Sequence, residues 1–157
     1  MALPVVVPTL LPQSVASLVL DAEGVSHREH VCVGDAGYSE LLTGLWAAGD
    51  GFVVVEHDIA PWFGAVTQLA ECDRDWCMFH YPKFGGMLTR GLGCTKFSRR
   101  LVRAYPELPA AWRDIGWRVL DGTVGAAVAE ALRGERPDRH PLCYHQPPVA
   151  HARRRED

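Results

Sequence analysis

The sequence predicts an α/β domain built on a mostly parallel sheet flanked by helices. Three observations carry this expectation. Over the first sixty residues, short apolar runs alternate with helix-period segments in the order strand, helix, strand, helix, strand. The run Phe52-Val53-Val54-Val55 is apolar at every position, as a strand covered on both faces requires. A length of 157 residues suits one domain and is enough to bury a core without disulfides or a structural metal.

Element by element, Val5-Val6-Val7 reads as a short buried strand stopped by Pro8. Residues 12 to 20 suit a helix, with Pro12 in its first turn and Val15, Leu18 and Val19 on one face. His30 to Val33 reads as a second strand, and Gly34 to Gly37 as a turn. Tyr38, Leu41, Leu42, Leu45 and Trp46 then mark the clearest helix of the chain, stopped by Gly49. After the strand Phe52–Val55, residues 61 to 70 suit a helix begun by Pro61, and residues 72 to 90 read as a long loop. Gly91 to Phe97 suits a strand, and Ser98 caps a short helix that Pro106 ends. Pro109 opens another helix with Trp112, Ile115 and Val119 on one face. A small-residue helix follows over 123 to 133, and a last strand over His140 to His145. One domain over residues 1–151 and a polar tail over 152–157 are expected.

A net charge of −3 gives no electrostatic case for binding nucleic acid non-specifically. No apolar run approaches the roughly 20 residues of a membrane span. The apolar N-terminus lacks a basic region and carries three prolines, so it reads as folded structure rather than a leader, and a cytoplasmic location is expected. Five cysteines, an odd number, do not suggest a secreted disulfide framework. Cys32, Cys94 and Cys143 read as small core residues. Cys72, Cys77 and His80 form a C-x4-C-x2-H pattern to which Cys143 or His145 would add a zinc ligand, but the spacing is irregular for zinc ribbons. Free thiols or a redox-sensitive pair are the expectation there.

The chemistry concentrates where Phe52–Val55 runs into Glu56-His57-Asp58. In an extended chain Glu56 and Asp58 point to one side and His57 to the other. Two carboxylates at the carboxyl end of a parallel strand can hold a hard divalent cation, at the place where open α/β sheets bind ligands. The competing reading is a strand that simply reaches the surface.

The order of motifs resembles glycosyltransferases of the GT-A type: Val5-Val6-Val7-Pro8-Thr9, then Phe52-Val53-Val54-Val55-Glu56-His57-Asp58, then Gly91-Leu92-Gly93-Cys94, then Trp117-Arg118-Val119-Leu120-Asp121, then Pro147-Pro148-Val149-Ala150-His151. It is similar in particular to small phage and actinobacterial glycosyltransferase-like proteins, over most of residues 5 to 151. The resemblance implies a compact GT-A-like, Rossmann-like sheet. It also implies a metal-dependent transfer of sugar from a nucleotide-sugar donor to an acceptor, with inversion. Glu56, Asp58 and His151 would hold Mn²⁺ or Mg²⁺. Pro8, Thr9, Asp35, Tyr38, Glu56, Gly91, Gly93 and Trp117 would bind the donor, and Asp121 would be the catalytic base that takes the acceptor's proton. The first acid is Glu56 where the family has Asp, and the chain is short in the acceptor half.

Other readings stay open at several positions. Asp121 also suits a helix N-cap, Asp35 a turn, Tyr38 a core position and His151 a surface histidine near the tail. Gly91 and Gly93 lack the spacing of a phosphate loop and suit a close backbone approach instead. Two other functions compete. A nucleotidyltransferase would want a glycine-rich basic loop after the first strand, which residues 8–15 do not offer. A non-catalytic nucleotide-sugar-binding or accessory protein agrees with the short acceptor half. The acceptor itself is left open.

Overall fold

The computed structural model describes residues 3–82, 88–89, 91–135 and 142–152. Strands β1 (Val5–Thr9), β2 (Arg28–Val31) and β3 (Phe52–Val55) alternate with helices α1 (Val15–Ala22) and α2 (Gly37–Ala47). Short strand β4 (Ile59–Ala60), helix α3 (Ala65–Glu71) and strands β5 (Trp76–Phe79), β6 (Tyr81–Pro82), β7 (Leu88–Thr89) and β8 (Cys94–Phe97) follow. Helix α4 (Arg99–Ala104), a 3-10 turn (Leu108–Ala111), helix α5 (Trp117–Glu135) and strands β9 (Cys143–His145) and β10 (Ala150–His151) complete the order.

Six strands form one sheet in the order β2-β1-β3-β8-β5-β9. β1 runs parallel to both β2 and β3, and β9 runs parallel to β5. β8 alone is reversed, antiparallel to β3 and to β5. Strand alternation then sorts the core into two layers. Val6, Phe52 and Val54 pack with Tyr38, Leu42 and Trp46 of α2 and with the α4 and α5 side chains on one face. Val5, Val7, Val53 and Val55 pack with Ala16 and Leu20 of α1 and Val66 and Leu69 of α3 on the other. This is the expected α/β class, a mostly parallel sheet flanked by helices.

Several elements differ from the sequence expectation. α1 starts after Pro12, because Ser14 takes the cap and accepts the Ser17 N–H at 3.1 Å. β2 ends at Val31, with Val33 exposed. α3 starts four residues after Pro61, behind Gly64, whose φ of 88° favours glycine. The stretch read as a loop contains β5, whose four residues are all buried beside β8. The helix expected from Pro109 is only a 3-10 turn, and Asp114 with φ 61° breaks it. α5 then begins six residues before the expected position, because Leu120, Val124, Val128 and Leu132 form one buried stripe that carries the helix through Gly122. Val119, expected on the core face, is exposed. The last strand is shorter than expected within the described residues, and positions 140 and 141 lie outside them. Most of the polar tail, from 153 on, also lies outside them.

Candidate functional site

The acidic cluster does not continue β3 as an extended strand. The Ile59 N–H donates to the Glu56 carbonyl at 2.9 Å and closes a turn over residues 56–59. The strand alternation that would put Glu56 and Asp58 on one side therefore does not apply. The Glu56 N–H is held by the Gly93 carbonyl at 2.8 Å, which ties the end of β3 to the start of β8.

Chain-end residues come back to this turn. β10 pairs antiparallel with β4, with His151 opposite Ile59. The Ala152 N–H donates to the Asp58 carbonyl at 2.6 Å, and the Val149 N–H to the His80 carbonyl at 2.9 Å. These bonds set the His151 Nε2 3.0 Å from Asp58 Oδ2, with both side chains partly exposed. The His151 ring also stacks on Tyr81, centroids 5.7 Å apart. Among the described residues, Glu56, Asp58 and His151 do not close into a three-membered ligand cluster, so the expected trio is reduced to the Asp58–His151 pair.

Glu56 belongs to a second group, with Tyr38, Tyr81 and Asp121. Tyr38 is buried, 4.6 Å from Trp117 between ring centroids. Its pKa is pushed well up by burial and by the charges of Glu56, whose carboxylate faces its hydroxyl, and of Asp121. Tyr81 is likewise pushed far up by burial and by Glu56, Asp121 and Asp58. Both phenols therefore stay protonated and can donate to these carboxylates. Tyr38 occupies the core position that was one of its two readings.

Asp121 sits inside α5 rather than at its cap, which removes the capping alternative. Its Oδ1 accepts the Leu92 N–H at 3.2 Å. This bond fastens the Gly91–Gly93 segment to the helix. A side chain at Gly91 would run into the Tyr81 hydroxyl and lie 2.5 Å from Asp121 Oδ2, and one at Gly93 would lie 2.8 Å from Tyr81 Cζ. The two glycines are thus required by a tyrosine ring. Asp35 lies against Gly116, where a side chain would collide with its carboxylate, just before Trp117. The His57 ring faces Trp117 edge-on at 6.0 Å.

Pro8 and Thr9 end β1, beside His30 and Val31 of β2. The Thr9 hydroxyl donates to the Leu11 carbonyl and accepts the Leu11 N–H at 3.2 Å. Thr9, Leu10–Val15, His57, Asp58 and Ala152 line an open groove of about 330 Å³ at the carboxyl ends of β1 and β3. Glu29 holds one wall of it, accepting the Gln13 N–H at 3.1 Å and the Ser14 N–H at 3.0 Å.

Sequence reasoning missed Tyr81, which touches both groups. Its only signal is the Gly91-x-Gly93 spacing, which asks for a bulky neighbour across the strand. It also missed the buried Lys96 on β8, 2% exposed.

No protein-family model matches the chain. No curated protein matches it in sequence. Among solved structures, the chain is similar to a glycosyltransferase involved in the glycosylation of the major capsid of PBCV-1, with a TM-score of 0.54 and 8% identity over 94% of this chain and 83% of that one. The likeness is one of fold. A197 from STIV is a looser match, with a TM-score of 0.47 and 14% identity over 65% of this chain and 67% of that one. Among the described residues no helix is long and apolar enough to cross a membrane.

Proposed function

We propose that the chain is a glycosyltransferase that binds a nucleotide-sugar donor across the carboxyl ends of β1 and β3 and transfers the sugar with inversion. One observation supports this reading above the others. The last described residues fold back so that His151 meets Asp58 at 3.0 Å, beside an open groove at the ligand-binding edge of the sheet.

The donor set suits a divalent cation such as Mn²⁺ or Mg²⁺. One carboxylate and one imidazole converge and remain accessible, a pairing that leaves other coordination positions for phosphate oxygens and water. Asp58 and His151 would hold the ion. When bound, it supplies charge that stabilises the departing diphosphate. Glu56 orients the site from behind, braced by Tyr38. Asp121 is the base of the reading, a carboxylate held by the Leu92 N–H and facing two protonated tyrosines. A carboxylate placed within reach of an acceptor hydroxyl takes its proton as the hydroxyl attacks the anomeric carbon.

The test is a thermal-shift panel of nucleotide sugars with and without Mn²⁺, on wild type and Asp58→Ala. A bound donor raises the melting temperature by mass action. The reading expects a metal-dependent rise for wild type with at least one nucleotide sugar, its loss in Asp58→Ala, and slow metal-dependent donor hydrolysis. A rise without hydrolysis or transfer would make the protein a binder. No rise with any donor, or an equal rise in Asp58→Ala, would overturn the site.

A further inference from the structure

A second cluster of ligand-type side chains lies away from the groove, where α3 and β5 meet the edge strand β9. Cys72 closes α3, and Cys143 and His145 project from β9. The two sulfurs and one imidazole nitrogen all lie within 4.8 Å of one another. All five cysteines of the chain are free thiols. Cys143, expected to be a small core residue, is therefore half-buried among thiols. His80, the third residue of the C-x4-C-x2-H pattern, stacks on Tyr144 at 4.2 Å instead.

We propose that Cys72, Cys143 and His145 bind a soft divalent cation of the zinc class, with water in the fourth position, and that this ion pins β9 to the α3–β5 corner. Besides the cluster itself, one feature of the surroundings points to a ligand. The Nε2 of His145 is buried and has no hydrogen-bond partner among the described residues, a costly state for a polar atom unless it donates its lone pair. Beside the cluster lies a buried cation. Lys96 is 2% exposed, donates to the Cys72 carbonyl, and forms no ion pair with a carboxylate among the described residues. It stands opposite Cys77 in the sheet, and Cys77 stands opposite Cys143, so ammonium and thiols form one row on one face. Burial nevertheless pushes the Cys77 and Cys143 thiols up, so the incoming metal itself must displace the ligand protons.

The ligand set has the chemistry of three protein ligands plus solvent, with sulfur and nitrogen donors. Binding replaces the two thiol protons by the metal. The ion enters as M²⁺, Cys72 and Cys143 each lose a proton to solvent, and neutral His145 supplies a lone pair, so the centre carries no net charge. Burial and Lys96 lower the His145 pKa, which keeps the imidazole neutral and able to ligate. Burial, Cys72 and Asp73 push the Cys143 thiol up, and Arg74 pulls it down. Neither Arg74 nor Asp73 supplies a competing ligand in the cluster. The site is independent of the nucleotide-sugar reading.

The experiment is a Co²⁺ titration of the full chain, stripped of metal with a chelator under reducing conditions. One equivalent should bind with sulfur-to-cobalt charge-transfer absorption and the intense visible bands of a tetrahedral site, and Zn²⁺ should displace it. Cys143→Ser and His145→Ala should each weaken binding by at least about tenfold, the lower range seen even for outer-shell changes. Because either variant can disturb β9, a second measurement uses wild type alone: Zn²⁺ should protect Cys72 and Cys143 from alkylation, read by peptide mass spectrometry, while Cys32 is unaffected. Cobalt bound without thiolate bands, wild-type affinity in Cys143→Ser, equal alkylation with and without Zn²⁺, or a Cys72–Cys143 disulfide that persists under reductant would each overturn the proposal.

Discussion

Replacing Glu29 by Gln tests how the wall of the groove is held. The Glu29 carboxylate accepts the N–H groups of Gln13 and Ser14 and the Ser14 hydroxyl, at 3.0 to 3.2 Å. Burial pushes its pKa up, but hydrogen bonds from Ser17, Ser14 and Gln13 outweigh that and hold it at about 2 instead of the usual 4.5. At ~1.4 kcal/mol per pH unit, the full difference is worth about 3.5 kcal/mol. The group is largely exposed to solvent, so screening reduces this to about 1 kcal/mol. The variant should therefore melt about 2–4 °C below wild type at neutral pH. A depressed carboxylate pKa stabilises the fold above the unfolded value and loses that contribution as pH falls through the folded value. The gap between wild type and Glu29→Gln should thus be full above about pH 5 and close as pH falls toward 2. Thermal unfolding of both proteins across that range reads it directly. A gap that keeps its size down to about pH 3, or no gap at neutral pH, would refute the electrostatic account of this wall.

Three further outcomes follow from the same geometry. Gly93→Ala should cost about 1–3 kcal/mol in urea unfolding, because the new methyl meets the packed Tyr81 ring at 2.8–2.9 Å; wild-type stability would show that the ring is free to move. Asp121→Asn keeps an acceptor for the Leu92 N–H, so its melting temperature should hold while transfer falls by about 10²–10⁴-fold; full activity would remove Asp121 from the mechanism. Ser98→Ala should cost about 1 kcal/mol, since the hydroxyl caps α4 through the Leu101 N–H at 3.1 Å and also meets Asp75 at 2.6 Å; an unchanged midpoint would mean solvent replaces the cap.

The alternation of periodicities over residues 5–55 was enough to read the parallel half of the sheet, because those elements are local and each has one unambiguous apolar pattern. The strand Trp76–Phe79 was not legible. Its four apolar residues are flanked by cysteines, charges and prolines that look like loop, and only pairing with the reversed strand Cys94–Phe97 makes it central. The length of α5 was hidden for a related reason. Gly122 weakens the local helix signal, and the buried stripe from Leu120 to Leu132 overrides it only in the presence of the sheet.

Chemistry divides in the same way. The sequence by itself determined which residues carry ligand-type groups, and it determined that the acids of residues 56–58 stand at the end of a buried strand, because both follow from composition and local pattern. Which of those groups meet was decided only by tertiary structure. A turn hydrogen bond took Glu56 out of the strand alternation and into the company of Tyr38 and Tyr81. The pairing of β10 with β4 carried His151 across 93 positions of chain to Asp58. The parallel pairing of β9 with β5 brought Cys143 and His145 to Cys72. Such contacts depend on strand register between distant segments, and register is set by how the whole hydrophobic face is buried, not by any property of the residues that end up touching.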